Sequence, residues 1–361
     1  MTLSVALRHD FGSFALDVGF EAPPGLTVLF GRSGSGKTTL VNAVAGLLRP
    51  DTGRIAVDDW VLLDSAAGRF LPPHRRRLGY IFQEGRLFPH LTVQQNLRYG
   101  GFFAPKGAKR ESEARVVEML GIGPLLARRP GALSGGEKSR VAIGRALLAA
   151  PKLILADEPL AALDEARKAE ILPYFERLRD EVETPILYVS HSAAEVARLA
   201  THVVVLQAGR VIRQGAAAEV LGDPEVTPLG AHAAGALLES RVVAHHADGL
   251  SELSVEGQRL LLPRVSAAPG QTLRVYVEAA DVMLATRRPE HISALNLLEV
   301  EIRAIRRGDG PGALVQLSMG RTALLARVTR RSVEGLGLAP GQRVFAVLKA
   351  VSVAKGNVAG R

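Results

Sequence analysis

The sequence predicts an α/β phosphate-loop fold followed by an all-β domain, and three observations carry that prediction. Residues 1 to about 230 alternate short β-rich runs with helical patterns, the mark of helices layered on a sheet. The stretch "GRSGSGKTT" at 31–39 matches the phosphate-loop pattern G-x-x-x-x-G-K-[ST]. After "LGDPEVTPLG" the pattern changes to alternating strands, many turns and little helix. The expected domains are therefore residues 1–230 and 231–361.

The first domain is read in chain order. "LTVLF" (26–30) reads as a buried strand, and "TTLVNAVAGLL" as the helix after the loop. A strand before and a helix after are the context a phosphate loop requires. Its glycines let successive N–H groups wrap phosphate oxygens, and the helix dipole adds positive potential. Gly31, Arg32, Ser33, Gly34, Ser35, Gly36, Lys37, Thr38 and Thr39 are the nucleotide-binding candidates. Lys37 would reach the β- and γ-phosphates, and Thr38 would ligate Mg²⁺ through its hydroxyl. Gln83 in "GYIFQEG" follows a further strand and offers a neutral ligand for Mg²⁺ or water. The loop after it, "EGRLFPHLTV" (84–93), carries Leu87 and Phe88 among polar residues, an apolar tip suited to a partner's groove. The alternative is that Phe88 packs into this chain's own core.

"GALSGGEKSR" (131–140) places Ser134 three residues before Glu137, a capping box at the start of the helical run "EKSRVAIGRALLAA". "LILADEP" (153–159) is an apolar strand ending in two carboxylates. Asp157 at its end can hold Mg²⁺ through water, and Glu158 can polarise an attacking water. "PILYVS" (185–190) is another strand, and His191 after it can donate to a phosphate oxygen. "HVVVLQAGRVIRQG" (202–215) reads as a hairpin turning at Ala208-Gly209.

Composition narrows the function. The chain has 361 residues, 47% hydrophobic and 22% charged, enough for more than one packed core. It has no cysteine, which excludes disulfides, thiolate catalysis and cysteine-ligated metals. No uncharged apolar run reaches the ~18 residues a membrane helix needs. The net charge is +9, but "PPHRRRLGY" is the one tight basic cluster and aromatics are 5% of residues. A basic, solvated surface with no nucleic-acid role is the reading that follows. The tail holds an internal repeat, at about 240–285 and 293–355. "VEGQRLLLPRVSAAPGQTLRVYVEAADV" and "SMGRTALLARVTRRSVEGLGLAPGQRVFAVLKAVSV" both run strand, loop, "PGQ" turn, strand. Paired small barrels that bury their open faces on each other or on a partner are expected.

Phosphate loop, Gln83, "LSGGE", "LADEP", "LAALD" and His191 occur in the order found in the nucleotide-binding domain of ATP-binding cassette (ABC) transporters, which residues 1 to about 230 resemble. The resemblance implies ATP and Mg²⁺ as cofactors, and Glu158, His191 and Lys37 as the catalytic set. It implies a homodimer in which Ser134, Gly135, Gly136 and Glu137 meet ATP held by the other subunit, with Asp164 of "LAALD" at the same contact. The capping and phosphate-binding readings of Ser134 are compatible. Members place an aromatic residue on adenine; Phe11 in "DFGSF" is the choice here, though Phe11 and Phe14 could equally be core. The tail resembles the molybdate-binding (Mop-type) oligomer-binding barrel, so the whole chain resembles the ATP-binding subunit of a molybdate importer. Leu295 stands where that barrel has an Arg, leaving Ser293, Thr329, Lys349 and Ser352 as polar candidates. The resemblance implies integral-membrane permease subunits, indirectly a periplasmic or extracellular oxyanion-binding protein, and a place on the cytoplasmic face of the cell membrane. Importers of sulfate, sugar or polyamine, and an oxyanion sensor without ATP turnover, are the alternatives.

Overall fold

Large apolar residues at every second position open the chain with two antiparallel strands, β1 (Leu3–Asp10) and β2 (Ala15–Ala22). The uninterrupted apolar run "LTVLF" gives β3 (Leu26–Phe30), buried along its whole length as a central parallel strand must be. The phosphate loop follows, then α1 (Lys37–Ala45). A meander of β4 (Thr52–Val57), β5 (Trp60–Asp64) and β6 (Arg69–Phe70) leads to β7 (Leu78–Ile81). Three helices come next: α2 (Val93–Tyr99), α3 (Glu113–Leu120) and α4 (Gly135–Leu148). The chain continues through β8 (Leu153–Asp157), α5 (Glu165–Glu181), β9 (Ile186–Ser190), α6 (Ala193–Leu199), β10 (His202–Gln207) and β11 (Arg210–Ala216). Ala208 and Gly209, both at positive φ, turn the β10–β11 hairpin.

In this computed structural model the described residues are 1–83, 85–104, 111–161, 163–224, 234–307, 310–353 and 358–360. They form two compact units: Met1–His191 with Leu199–Gln214, and Ser192–Arg198 with Gly215–Arg361. The boundary expected at 230/231 lies outside the described residues.

The first unit is an eleven-stranded sheet in the order β6-β5-β4-β1-β2-β11-β10-β3-β9-β8-β7. β7, β8, β9, β3 and β10 are parallel neighbours, so their C-terminal ends lie along one edge. Leu40, Val41 and Val44 of α1 share a fully buried core with Leu155, Leu187, Val189 and Leu206 of the sheet. Each such side chain contributes about 1.5–3 kcal/mol by leaving water. Arg76 is wholly buried, and its guanidinium donates to the carbonyls of Leu71, Ala43 and Val44, capping the C-terminal end of α1. Burial depresses its pKa to about 10.

Besides Ser192–Arg198, the second unit holds α7 (Ala217–Leu221) and two five-stranded antiparallel sheets. The first is built on β12 (Gly235–His245), β13 (Leu250–Val255), β14 (Gln258–Pro263) and β15 (Thr272–Glu278). After β16 (Met283–Ala285), the second is built on β17 (Asn296–Arg307), β18 (Gly312–Met319), β19 (Thr322–Thr329) and β20 (Arg343–Leu348). The short helix α8 (Arg330–Gly335) follows β19, and β21 (Val358–Gly360) comes last. The sheet orders are β14-β13-β12-β15-β21 and β16-β20-β17-β18-β19, so each copy's last strand pairs in the other copy's sheet. The two "PGQ" turns match bond for bond. Gly270 and Gly341 donate to Val242 and Ile302, which donate back to Gln271 and Gln342. A bulge follows Val242 in one copy and Ile302 in the other. The copies are thus not self-contained barrels: the two sheets share one core and exchange an edge.

Side-chain amides close what the strand pairing leaves open. Asn296, buried to 1% exposure, accepts from the Leu261 N–H and donates to the Leu261 carbonyl. Gln258 does the same for the N–H and carbonyl of Glu299. Each amide stands in for a peptide unit and ties β14 to β17.

Candidate active site

Four neighbouring parallel strands deliver the candidate residues to one edge. The phosphate loop follows β3, Asp157 ends β8 with Glu158 next, His191 follows β9 and Gln83 lies two residues after β7. Ligands bind outside the carboxyl ends of strands in such sheets, because loops there converge while the strand register stays fixed.

Gly31 is demanded by packing: a Cβ there would lie 2.3 Å from the Leu206 carbonyl oxygen. Gly36, at φ +100°, caps α1 without a side-chain acceptor. The first N–H groups of that helix are therefore left for a ligand. Ser35 Oγ is buried with no hydrogen-bond partner among the described residues, another group of the loop with bonding capacity to spare. Lys37, 4% exposed, donates to the Gly31 and Arg32 carbonyls at 2.9 and 2.8 Å. Burial lowers its pKa, and Glu158 and Asp157 pull it the other way. A buried ammonium held by carbonyls gains from an arriving phosphate.

Asp157 and Glu158 sit in different settings. Asp157 accepts from Thr38 Oγ1 at 3.4 Å and from the Tyr80 hydroxyl at 3.5 Å, both at the outer limit of a hydrogen bond. Burial, then the charge of Glu158, raises its pKa. Such an under-bonded acid gains from a cation. Thr38, Asp157 and Gln83 are all-oxygen donors of the kind a hard ion takes. Among the described residues no cluster of three or more His, Cys, Asp or Glu forms a metal cage. A hydroxyl, one carboxylate and an amide oxygen are a donor set of the kind Mg²⁺ takes, since it binds through one or two carboxylates plus substrate phosphates. Glu158 has φ +45°, a backbone strain that clusters at functional sites. Its Oε2 lies 3.3 Å from His191 Nδ1, so β8 and β9 bring the two together. Tyr80 was not expected from sequence, because its role depends on the register of β7 against β8.

Ser134 caps α4 as a full capping box: Glu137 N–H donates to Ser134 Oγ at 3.2 Å, and Ser134 N–H to Glu137 Oε2 at 2.7 Å. A Cβ on Gly135 or Gly136 would meet this chain's own atoms only at 3.6 Å or more, ordinary contact. Packing within the chain does not require either glycine. Asp164 caps α5 by accepting from the Arg167 N–H at 2.9 Å. Phe14 packs over Gly36, within 2.9 Å of where its Cβ would stand, whereas Phe11 is 47% exposed with His9 edge-on at 4.3 Å. Phe88 is half-buried: its ring lies 4.3 Å from Tyr99, and buried Asn96 holds both its N–H and its carbonyl. In the second unit Thr329 accepts from Ser332 as the cap of α8. Leu295 is 49% exposed, and Ser293 and Lys349 are exposed near the paired ends of β17 and β20. Ser352 donates to the Lys349 carbonyl at 2.9 Å.

The ABC transporter family model matches residues 17–161, and the TOBE domain model matches residues 292–354. The solved structure of cbiO1 from Clostridium perfringens, part of the ABC transporter complex cbiONQ, covers 62% of this chain and 92% of its own. The two are 29% identical with a TM-score of 0.53. The chain belongs to the ABC transporter family of ATP-binding proteins. Within it, the chain is similar to the molybdenum import ATP-binding protein ModC of Rhizobium meliloti, at 55% identity over 98% of this chain and 99% of the relative. It is 52% identical to that of Rhizobium etli, over 98% and 99% of the two chains. The ModC 1 protein of Azotobacter vinelandii is 51% identical over 96% and 97%.

Proposed function

We propose that this chain is the ATP-hydrolysing subunit of a molybdate importer, with Glu158 as the general base. The observation that carries the reading is the convergence of Lys37, Asp157, Glu158 and His191 at one sheet edge. Glu158 takes a proton from water as the water oxygen attacks the γ-phosphorus, and the bond to the bridging oxygen breaks to release ADP. Lys37 holds the β- and γ-phosphates, and His191, beside Glu158, donates to a γ-phosphate oxygen. Thr38, Asp157 and Gln83 would hold Mg²⁺, which would neutralise charge on the phosphates. Phe11, the more exposed of the two aromatic candidates, stacks on adenine. Ser134–Gly136, where this chain's own packing leaves the glycines unexplained, serve the nucleotide of a second copy across a homodimer that Asp164 also joins. Among the described residues no helix is long and apolar enough to cross a membrane. The pathway therefore belongs to permease subunits, which this chain meets from the cytoplasmic face through the Leu87–Phe88 tip.

Glu158→Gln keeps size and hydrogen bonding but removes the base. ATP turnover should fall by ~10²-fold or more while nucleotide binding persists. Near-normal turnover would exclude Glu158 as the base. Support for molybdate comes from near full-length similarity to molybdenum import proteins. Uptake of labelled molybdate, and not sulfate, by the chain reconstituted with its permease is the expected result. Preferential sulfate uptake moves the chain to another solute.

A further inference from the structure

Gly85 and Arg86 lie directly on α4. A Cβ built on Gly85 would stand 3.3 Å from the Lys138 carbonyl oxygen, so loop and helix meet at backbone distance. Arg86 has φ +39°, a conformation that persists only where surroundings impose it. Arg145, about two turns along α4 from Lys138, holds the main chain at this point. One arm of its guanidinium donates to the Arg86 carbonyl at 2.8 Å and the other to the Gly85 carbonyl at 3.1 Å. The same guanidinium lies 5.5 Å from the centre of the Phe88 ring. Among the described residues Arg145 forms no ion pair, so its fork is spent on main chain. That fixes the path of a backbone rather than the pose of a side chain. Phe88 is held from a second side by Asn96 of α2. α2 packs on α4 so closely that a Cβ on Gly144 would lie 2.8 Å from Leu97 Cδ2. Burial lowers the Arg145 pKa, consistent with a guanidinium enclosed by this packing.

We propose that Arg145 is a positioning residue that locks the chain after Gln83 to α4, so that Gln83, the Leu87–Phe88 tip and the Ser134–Gly136 end of the helix move as one body. Arg145 lies about three turns from Ser134, roughly 16 Å along a rigid rod. A shift of the loop backbone is thereby carried to the phosphate-facing end of the same helix, and the reverse. The phosphate loop hangs from β3 and α1, which Arg145 does not touch. Loss of the clamp should therefore spare ATP binding and impair turnover. The inference rests on the roles assigned above to Gln83 and to the start of α4, and its main test does not need the permease.

The test uses the full-length chain with Arg145→Met, which keeps an apolar stem and removes both donors. Affinity for a fluorescent ATP analogue should stay within about twofold of the parent. Turnover should fall about 10- to 100-fold, the range that a misplacement on the order of 1 Å produces. The chain has no native cysteine, so Gly85→Cys and Lys138→Cys can be added and bridged by a short thiol-reactive linker. Bridging should restore turnover to the Arg145→Met chain. Unchanged turnover, an equal loss of affinity and turnover, or no rescue by the linker overturns the proposal. If Arg145→Met does not fold, Arg145→Lys carries the test, because a point donor cannot hold both carbonyls. Intermediate turnover with intact affinity is then expected, and parental turnover overturns the proposal. Phe88→Ala in the reconstituted importer examines the docking role separately: normal uptake there removes that role and leaves the Arg145 result standing.

Discussion

Asp157 is an acid whose neutral form the fold prefers. Burial and the neighbouring Glu158 raise its pKa, so the unfolded chain releases this proton more readily than the folded one. The cost to stability grows as pH rises from the ordinary value of 3.8 through the higher folded value, and it is fully present above that folded value. Asp157→Asn should therefore raise the Tm of the nucleotide-free chain at pH 7. That gain should disappear on acidification below the ordinary carboxylate range, and ATP turnover should be lost. Calorimetry at two pH values checks it; a lower Tm at neutral pH would mean that the carboxylate's hydrogen bonds outweigh its burial. The placement of the phosphate loop before α1, of Asp157 and Glu158 at the end of β8, and of the Ser134–Glu137 box was legible without coordinates, because neighbours in sequence fix it. Arg76, Tyr80 and Arg145 were not. Their partners lie 33, 77 and 60 positions away, and nothing local to an arginine or tyrosine reports such a contact.

At the scale of elements, the strands "LTVLF" and "LILAD" fall where their apolar runs place them, because burial on both faces leaves no polar position to blur the limits. The antiparallel meander of β4 to β6 was harder to see, being short, turn-rich and mixed in polarity. How elements meet depends on single positions. Gly79 of β7 lies so near α4 that a Cβ would come within 2.8 Å of the Ala146 carbonyl oxygen. Backbone cannot swing aside as a side chain can. Gly79→Ala should cost about 1–3 kcal/mol, the scale of overpacking a dense interior. Denaturant titration measures it, and a change within error would show that α4 is free to slide. Because α4 also carries Ser134 and Arg145, the same change should reduce turnover even where the chain stays folded.

At the scale of the whole molecule, the repeat in the tail was visible in sequence, and the trading of edge strands was not. β16 and β21 are three residues each, too short to announce a partner. Deleting residues 358–361 should expose the edge of β15, where Leu273, Arg274 and Val275 now pair with Gly360, Ala359 and Val358. The second unit should then unfold at lower denaturant and the chain should aggregate more readily. An unchanged midpoint would show that the last strand adds nothing. The exchange also sets a timetable. During translation β15 leaves the ribosome long before β21, so the first sheet waits with a raw edge while its sister is made. A chain that stalls late in synthesis is caught with that edge uncovered, inviting the strand of another nascent chain to take the place reserved for its own.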